Sequence, residues 1–259
     1  MSDDCGMLWS LNIWELLLLV AVSLQVTVMA YLQAPRMKAL VLCLPLPFTL
    51  VSLAMGAAVD ATNLLGVIAI FVYVHLVRLL HQKGGVPIVA AIALSLVSYC
   101  ALGWTLLRLV PATPAMFWIL AAVLLAGAAY LNRDTASRSE PGHRTPLPIW
   151  LKLPIVLAVV CGLLAVKESL QGVATMFPMV SVPGAYEARH SLWTLGRQMP
   201  VLIITLVSLM IVARLSQPHL GLIGGLGLGW IVYLSLLVPL LRSLWARQRE
   251  TVSSEGLEP

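Results

Sequence analysis

Apolar runs of roughly twenty residues, separated by short polar turns, follow one another along almost the whole chain. A helix rises ~1.5 Å per residue and the hydrocarbon core is ~30 Å thick, so runs of this length suit membrane-crossing helices. They fall near residues 11–32, 38–59, 62–80, 86–109, 114–131, 150–167, 169–187, 198–214 and 220–241. The pattern predicts an all-α, polytopic transmembrane bundle of about 8–9 spans. Two of the runs are interrupted. The run 38–59 contains Pro45 and Pro47, and 169–187 contains Gly172, Pro178, Pro183 and Gly184, so the latter reads as a broken span or a re-entrant hairpin. Proline removes an N–H and frees a carbonyl, which lipid tolerates only where protein or a water-filled cavity satisfies it.

The interruptions stand in corresponding places. A basic residue is followed eleven positions later by proline and then by a small, hydroxyl-rich stretch, once as Arg36 to Pro47 and again as Lys167 to Pro178. This spacing predicts two related halves: a first four-helix unit at 1–112, a linker helix and polar connector at 113–149, and a second four-helix unit with a tail at 150–259. One span between the units would invert the second relative to the first, an arrangement that points to a transport-type site.

Composition narrows the class further. The 259 residues are 60% hydrophobic and 10% charged, and a mean hydropathy of +0.94 leaves almost no room for an extramembrane domain. Basic residues collect in alternate turns: Arg36 and Lys38; His81 and Lys83; Arg133, Arg138, Arg144 and Lys152; Arg242, Arg247 and Arg249. The positive-inside rule makes those turns cytoplasmic, with the N-terminus outside and the C-terminus inside. Met1 to Ser10 carries Asp3 and Asp4 and no basic residue, which favours a retained first helix over a cleaved leader. The net charge of +5 follows from the same rule and implies no nucleic acid. Cys5, Cys43, Cys100 and Cys161 lack metal or CxxC spacing and read as small buried hydrophobes.

Lys167 and the stretch QGVATMFPMVSVPGAYEARH at 171–190 resemble the GlpM-like family of small bacterial membrane proteins. The stretch PRMKALVLCLPLPFTLVSLAMG at 35–56 is similar more loosely, keeping the basic residues, the Leu-Pro and the Gly but lacking the Tyr-Glu-Ala-Arg-His tail. The resemblance implies four helices per unit, two units fused in tandem, and a bacterial inner membrane. It brings no settled activity.

Ionisable groups inside a bilayer are costly and mark candidate sites. Arg36 and Lys167 with Glu168 are expected at opposite mouths, suited to an anion or anionic head group, although both positions also suit anchors that snorkel to lipid phosphates. Tyr186, Glu187, Arg189 and His190 form a dense polar cluster in which Glu187 and His190 could relay a proton and Arg189 could act with Arg197. An ordinary cytoplasmic turn explains the same residues. Ser181 lies within the interrupted segment, and Pro45, Pro47, Pro178, Pro183 and Gly184 are the expected helix breaks. His75, one turn from Arg78, suits a pore or, more simply, a hydrogen-bonded packing role. The glycines of GLIGGLGLGW at 221–230 follow no strand, so Gly225 and Gly229 read as a small-xxx-small packing ridge.

No HExxH, GxSxG, Walker loop or metal-ligand spacing occurs, so no catalytic residue, metal or cofactor is expected. Three functions remain open: a carrier or channel for a small, preferably anionic solute; an accessory subunit of an envelope-assembly system; or a lipid-handling flippase or enzyme. Expected partners are membrane lipids, an unidentified small solute, and a second copy or another membrane protein. Reporter fusions after Arg36 and after Lys167 should report opposite membrane faces. The same face for both would contradict the inverted repeat.

Overall fold

The computed structural model describes residues 13–133, 140, 143, 148–167, 173 and 175–255. The expectations for Met1 to Ser10, Glu168, Gln171 and Gly172 lie outside the described residues. Helices follow in the order α1 Ile13–Tyr31, α2 Pro35–Cys43, α3 Leu46–Met55, α4 Ala61–Arg78, α5 Ile88–Leu109, α6 Pro114–Leu131, α7 Ile149–Lys167, α8 Ser181–Glu187 and α9 Leu192–Glu255. A π-helical turn, Leu79–Lys83, extends α4. The fold is all-α among the described residues.

Among the described residues, six helical runs are long and apolar enough to cross a membrane: Ile13–Tyr31, Pro35–Met55, Ala61–Lys83, Ile88–Leu109, Pro114–Leu131 and Leu192–Ser243. Large apolar side chains such as Val20, Leu24, Val97, Ile119, Val123 and Ile231 face outward. The protein is a multi-span membrane protein.

Interhelical bonds define two ends of the bundle. At one, here the upper end, the Val59 carbonyl accepts from Arg214 and the Val59 N–H donates to the Gln217 side chain. At the lower end Arg197 reaches the Leu131 carbonyl and Lys38 reaches Glu187. The α2–α3 pair makes a single crossing: Gln25, in the middle of α1, bonds to Val41 and Leu44, and α1 packs along both halves. Between Val173 and Glu187 the chain descends from beside Gly66 in the upper half to Lys38 and Lys152 at the lower end. Of the segment 169–187, Val173 and residues 175–187 are described, and among them only Ser181–Glu187 is α-helical.

Two expectations are corrected here. Residues 198–214 and 220–241 are not separated by a polar loop, because the stretch 216–219 is helical within α9. The chain reverses at Gly221, whose φ of 69° is reached at low cost only without a side chain. The arms 192–220 and 222–255 then pack antiparallel, with Gly225 against the Ala213 carbonyl and Gly229 against that of Leu209. The expected glycine ridge is thereby the seam of this hairpin. The second correction concerns Pro183 and Gly184. Both lie inside α8, where a proline in the first turn is tolerated, and Gly184 admits Met29 and Leu42 to close approach.

A Cβ at Gly229 would stand 2.9 Å from the Leu209 carbonyl oxygen, whereas Gly227 faces open space. Gly229→Ala should therefore lower stability by about 1–3 kcal/mol and Gly227→Ala should leave it nearly unchanged. Thermal unfolding of the two variants in one detergent checks the contrast.

Candidate functional site

The first break follows from the residues Leu44-Pro45-Leu46-Pro47. In a continuous helix the Val41 and Cys43 carbonyls would accept from the N–H groups of residues 45 and 47, and both of those are proline. The Val41 oxygen still accepts from the Leu44 N–H at 3.2 Å, and two buried side chains add donors at the break. The Gln25 amide bonds to the Val41 oxygen at 2.6 Å and to Leu44 at 3.3 Å, and the Tyr233 hydroxyl bonds to the Cys43 oxygen at 2.6 Å. Trp230 donates to Thr49 at 2.8 Å just beyond the break.

The second break is held in the same way. Tyr99 of α5 donates to the Val173 carbonyl at 2.9 Å, and Asn63 of α4 donates to the Thr175 hydroxyl at 3.0 Å. Asn63 also accepts from the Asp60 N–H in the capping box that starts α4. Gly66 makes room for this segment, since a Cβ there would fall 2.7 Å from the Met176 Cβ.

The two interrupted segments run in opposite directions and meet. Between them lies a cavity of about 60 Å³, lined by Cys43, Pro45, Pro47, Thr175, Pro178 and Ser181, with Phe48, Leu202 and Leu206 completing its wall. That is room for roughly a few water molecules. Of the expected site residues, Pro45, Pro47, Pro178 and Ser181 are thus brought together.

A second group of expected residues gathers at the lower end. Glu187 is buried and pairs with Lys152 at 2.6 Å, while Lys38 donates to the Glu187 carbonyl at 3.0 Å. Glu187 therefore serves Lys152 and not His190. Arg189 stacks over Tyr186 at 4.8 Å and donates to His143 Nε2 at 3.3 Å, and the His190 ring lies 4.8 Å from His143. Burial, then the charges of Arg189 and His190, push the His143 imidazole below its ordinary pKa, which keeps the ring neutral and able to accept. Arg197 turns away from Arg189 to the Leu131 carbonyl at 3.2 Å. Glu140, from the connector, accepts from the first-turn N–H groups of Trp193 and Thr194 and so caps α9.

Arg36 and Lys167 lie at opposite ends of the bundle, on the first turn of α2 and at the last residue of α7. The buried cation of α2 is Lys38, however, and the lower cluster is built on it. His75 bonds to the Phe71 carbonyl at 2.9 Å, as a packing histidine does, and also borders a second lower-end cavity of about 290 Å³ with Arg78, Trp193 and Arg197.

Sequence reasoning passed over Gln25, Tyr99, Tyr233 and Asn63, and treated Lys38 and Lys152 only as orientation signals. A lone amide in the middle of α1 was the available clue to Gln25. The chain matches no family model, no curated protein and no solved structure.

Gln25→Leu removes the donor shared by the Val41 and Leu44 carbonyls and Tyr233→Phe strands the Cys43 carbonyl, so each should cost about 1–3 kcal/mol. Tyr130→Phe, on the exposed surface of α6, should cost nothing measurable. Parallel unfolding curves decide, and equal stability for all three would show that the breaks need no side-chain donors.

Proposed function

We propose that the protein is a carrier for a small anionic solute, working by movement of its two interrupted crossings. The observation that carries this reading is the meeting of both breaks around one cavity. Broken helices that face each other near mid-depth, running in opposite directions, are the construction on which inverted-repeat transporters build their sites. The spacing of Arg36 to Pro47 and Lys167 to Pro178 supports a common ancestry of the two crossings and, with it, the GlpM-like kinship.

The cavity is too small for most solutes, so this conformation is the occluded one. Passage requires α3 and α8 to separate, first toward one end and then toward the other. The short α8 suits such movement, because it is seven residues long and flanked by non-helical backbone. The preference for an anion rests on the lower mouth, where among the described residues Lys38, Lys152 and Arg189 stand near one carboxylate, that of Glu187.

In this reading the lower end is cytoplasmic, the N-terminus is outside, and the membrane is the bacterial inner membrane. Arg36, Lys38, Lys83, Arg133, Lys152, Arg189 and Arg197 lie toward the lower end, against Arg108, Lys167 and Arg214 toward the upper. That asymmetry supports the orientation.

In a cysteine-free background, Ser181→Cys should react with a membrane-impermeant thiol reagent, and an excess of a transported anion should change the rate. Lys38→Ala in proteoliposomes should abolish uptake of that anion while leaving expression intact. A cysteine at 181 that stays unreactive from both faces would remove the carrier mechanism.

A further inference from the structure

A third cavity, of about 270 Å³, lies between α5 and α7 at the lower half of the bundle. Its sides are Val89 and Ile92 of α5 and Ile155, Val156 and Val159 of α7, and its floor is Val26 together with α8. α5 and α7 are held apart here, because each packs on α1 or α8 and not along the other. Val89 and Ile155, at the rims, are 65% and 54% exposed, so the groove opens sideways to the hydrocarbon.

The lining divides into two chemistries. Apart from Lys152, Tyr186 and Glu187, every lining residue is Val, Ile or Pro. From Val159 to Lys152 the groove runs about 10 Å along the axis of α7 at ~1.5 Å per residue. Toward the lower mouth Lys152 and Glu187 line the groove with Lys38 and Arg189 nearby, so that among the described residues three cations stand about one carboxylate. Lys38 and Lys152 are 1% and 4% exposed, and two buried cations against one buried carboxylate leave an excess of positive charge that an anion would offset. A free anion satisfies that excess and leaves the apolar groove empty. An uncharged lipid fills the groove and leaves the excess.

We infer that the groove between α5 and α7 seats one acyl chain of an anionic phospholipid whose phosphate is held at the Lys152 and Arg189 end. The chain would lie directly on Val182, Pro183 and Tyr186 of α8, so that occupancy clamps the short helix in place. This assignment stands on the groove and its charges and does not depend on the carrier reading.

The test is thermal unfolding of delipidated full-length protein in a neutral detergent, titrated with phosphatidylglycerol, with phosphatidylcholine, or with inorganic phosphate. Phosphatidylglycerol should raise the midpoint saturably, and the other two should not. Val159→Trp, which fills the groove from its half-exposed side and leaves the charges in place, should weaken the phosphatidylglycerol effect by at least about tenfold. Lys152→Met combined with Glu187→Met, which removes the pair without stranding either member, should weaken it as well. Equal shifts by both lipids would reduce the site to general solvation by lipid, and an equal shift by phosphate would make it a free-anion pocket. Retention of the full effect in Val159→Trp would overturn the seat for the acyl chain.

Discussion

A carbonyl without a donor is the hardest thing for a membrane interior to accommodate, because hydrocarbon offers no substitute for the missing N–H. This protein creates several by breaking two of its crossings, and the rest of the bundle is arranged to answer them. Pro45 and Pro47 remove the N–H donors that the Val41 and Cys43 carbonyls would meet in a helix; Val41 keeps the Leu44 N–H and gains Gln25, and Cys43 is met by Tyr233. In the segment that leads into α8, Tyr99 bonds to the Val173 carbonyl and Asn63 to the Thr175 hydroxyl. Each donor lies on a helix whose position is thereby tied to a break: α1 and α9 to the first, α4 and α5 to the second. The close approach of Gly66 and the reversal at Gly221 bring those helices within reach.

The same arrangement couples mid-depth to the lower surface. α8 begins at the cavity with Ser181 and ends at Glu187, whose carboxylate and carbonyl hold Lys152 and Lys38. Seven residues thus join the meeting point of the breaks to a charged mouth. Movement of α8 would alter both the cavity and the balance of charge at that mouth. In the proposed carrier this is the step that opens the path, and a lipid seated on the opposite face of α8 would bias it.

The architecture was legible in the sequence because lipid imposes a strong and regular pattern. Uninterrupted apolar runs marked the crossings, the glycines of 221–230 marked a helix seam, and the Leu-Pro-Leu-Pro stretch marked the first break. Partners were far less legible. Nothing local to Gln25 or Tyr233 says which carbonyl either meets, since those bonds link residues 16 and 190 positions apart. Arg36 and Lys38 looked equivalent as basic residues near the end of a span, and only the fold, which brings Lys38 to the Glu187 carbonyl, distinguishes the buried one. Pro183 and Gly184 looked like further breaks because proline and glycine interrupt helices in general. In place, one sits in a first turn and the other admits neighbouring side chains. The polar turn expected at 216–219 failed for a related reason, because Gly221 alone suffices to reverse the chain.

The account turns on the two breaks meeting at one depth inside the bilayer. Spin labels placed singly at Leu44 and Ser181 in reconstituted protein, read by relaxation with oxygen against a water-soluble nickel complex, measure that depth directly. The account predicts equal depths near the bilayer centre for both. A label at Ser181 that reads at the headgroup level, with Leu44 still deep, would make the second segment a surface loop and dissolve the site.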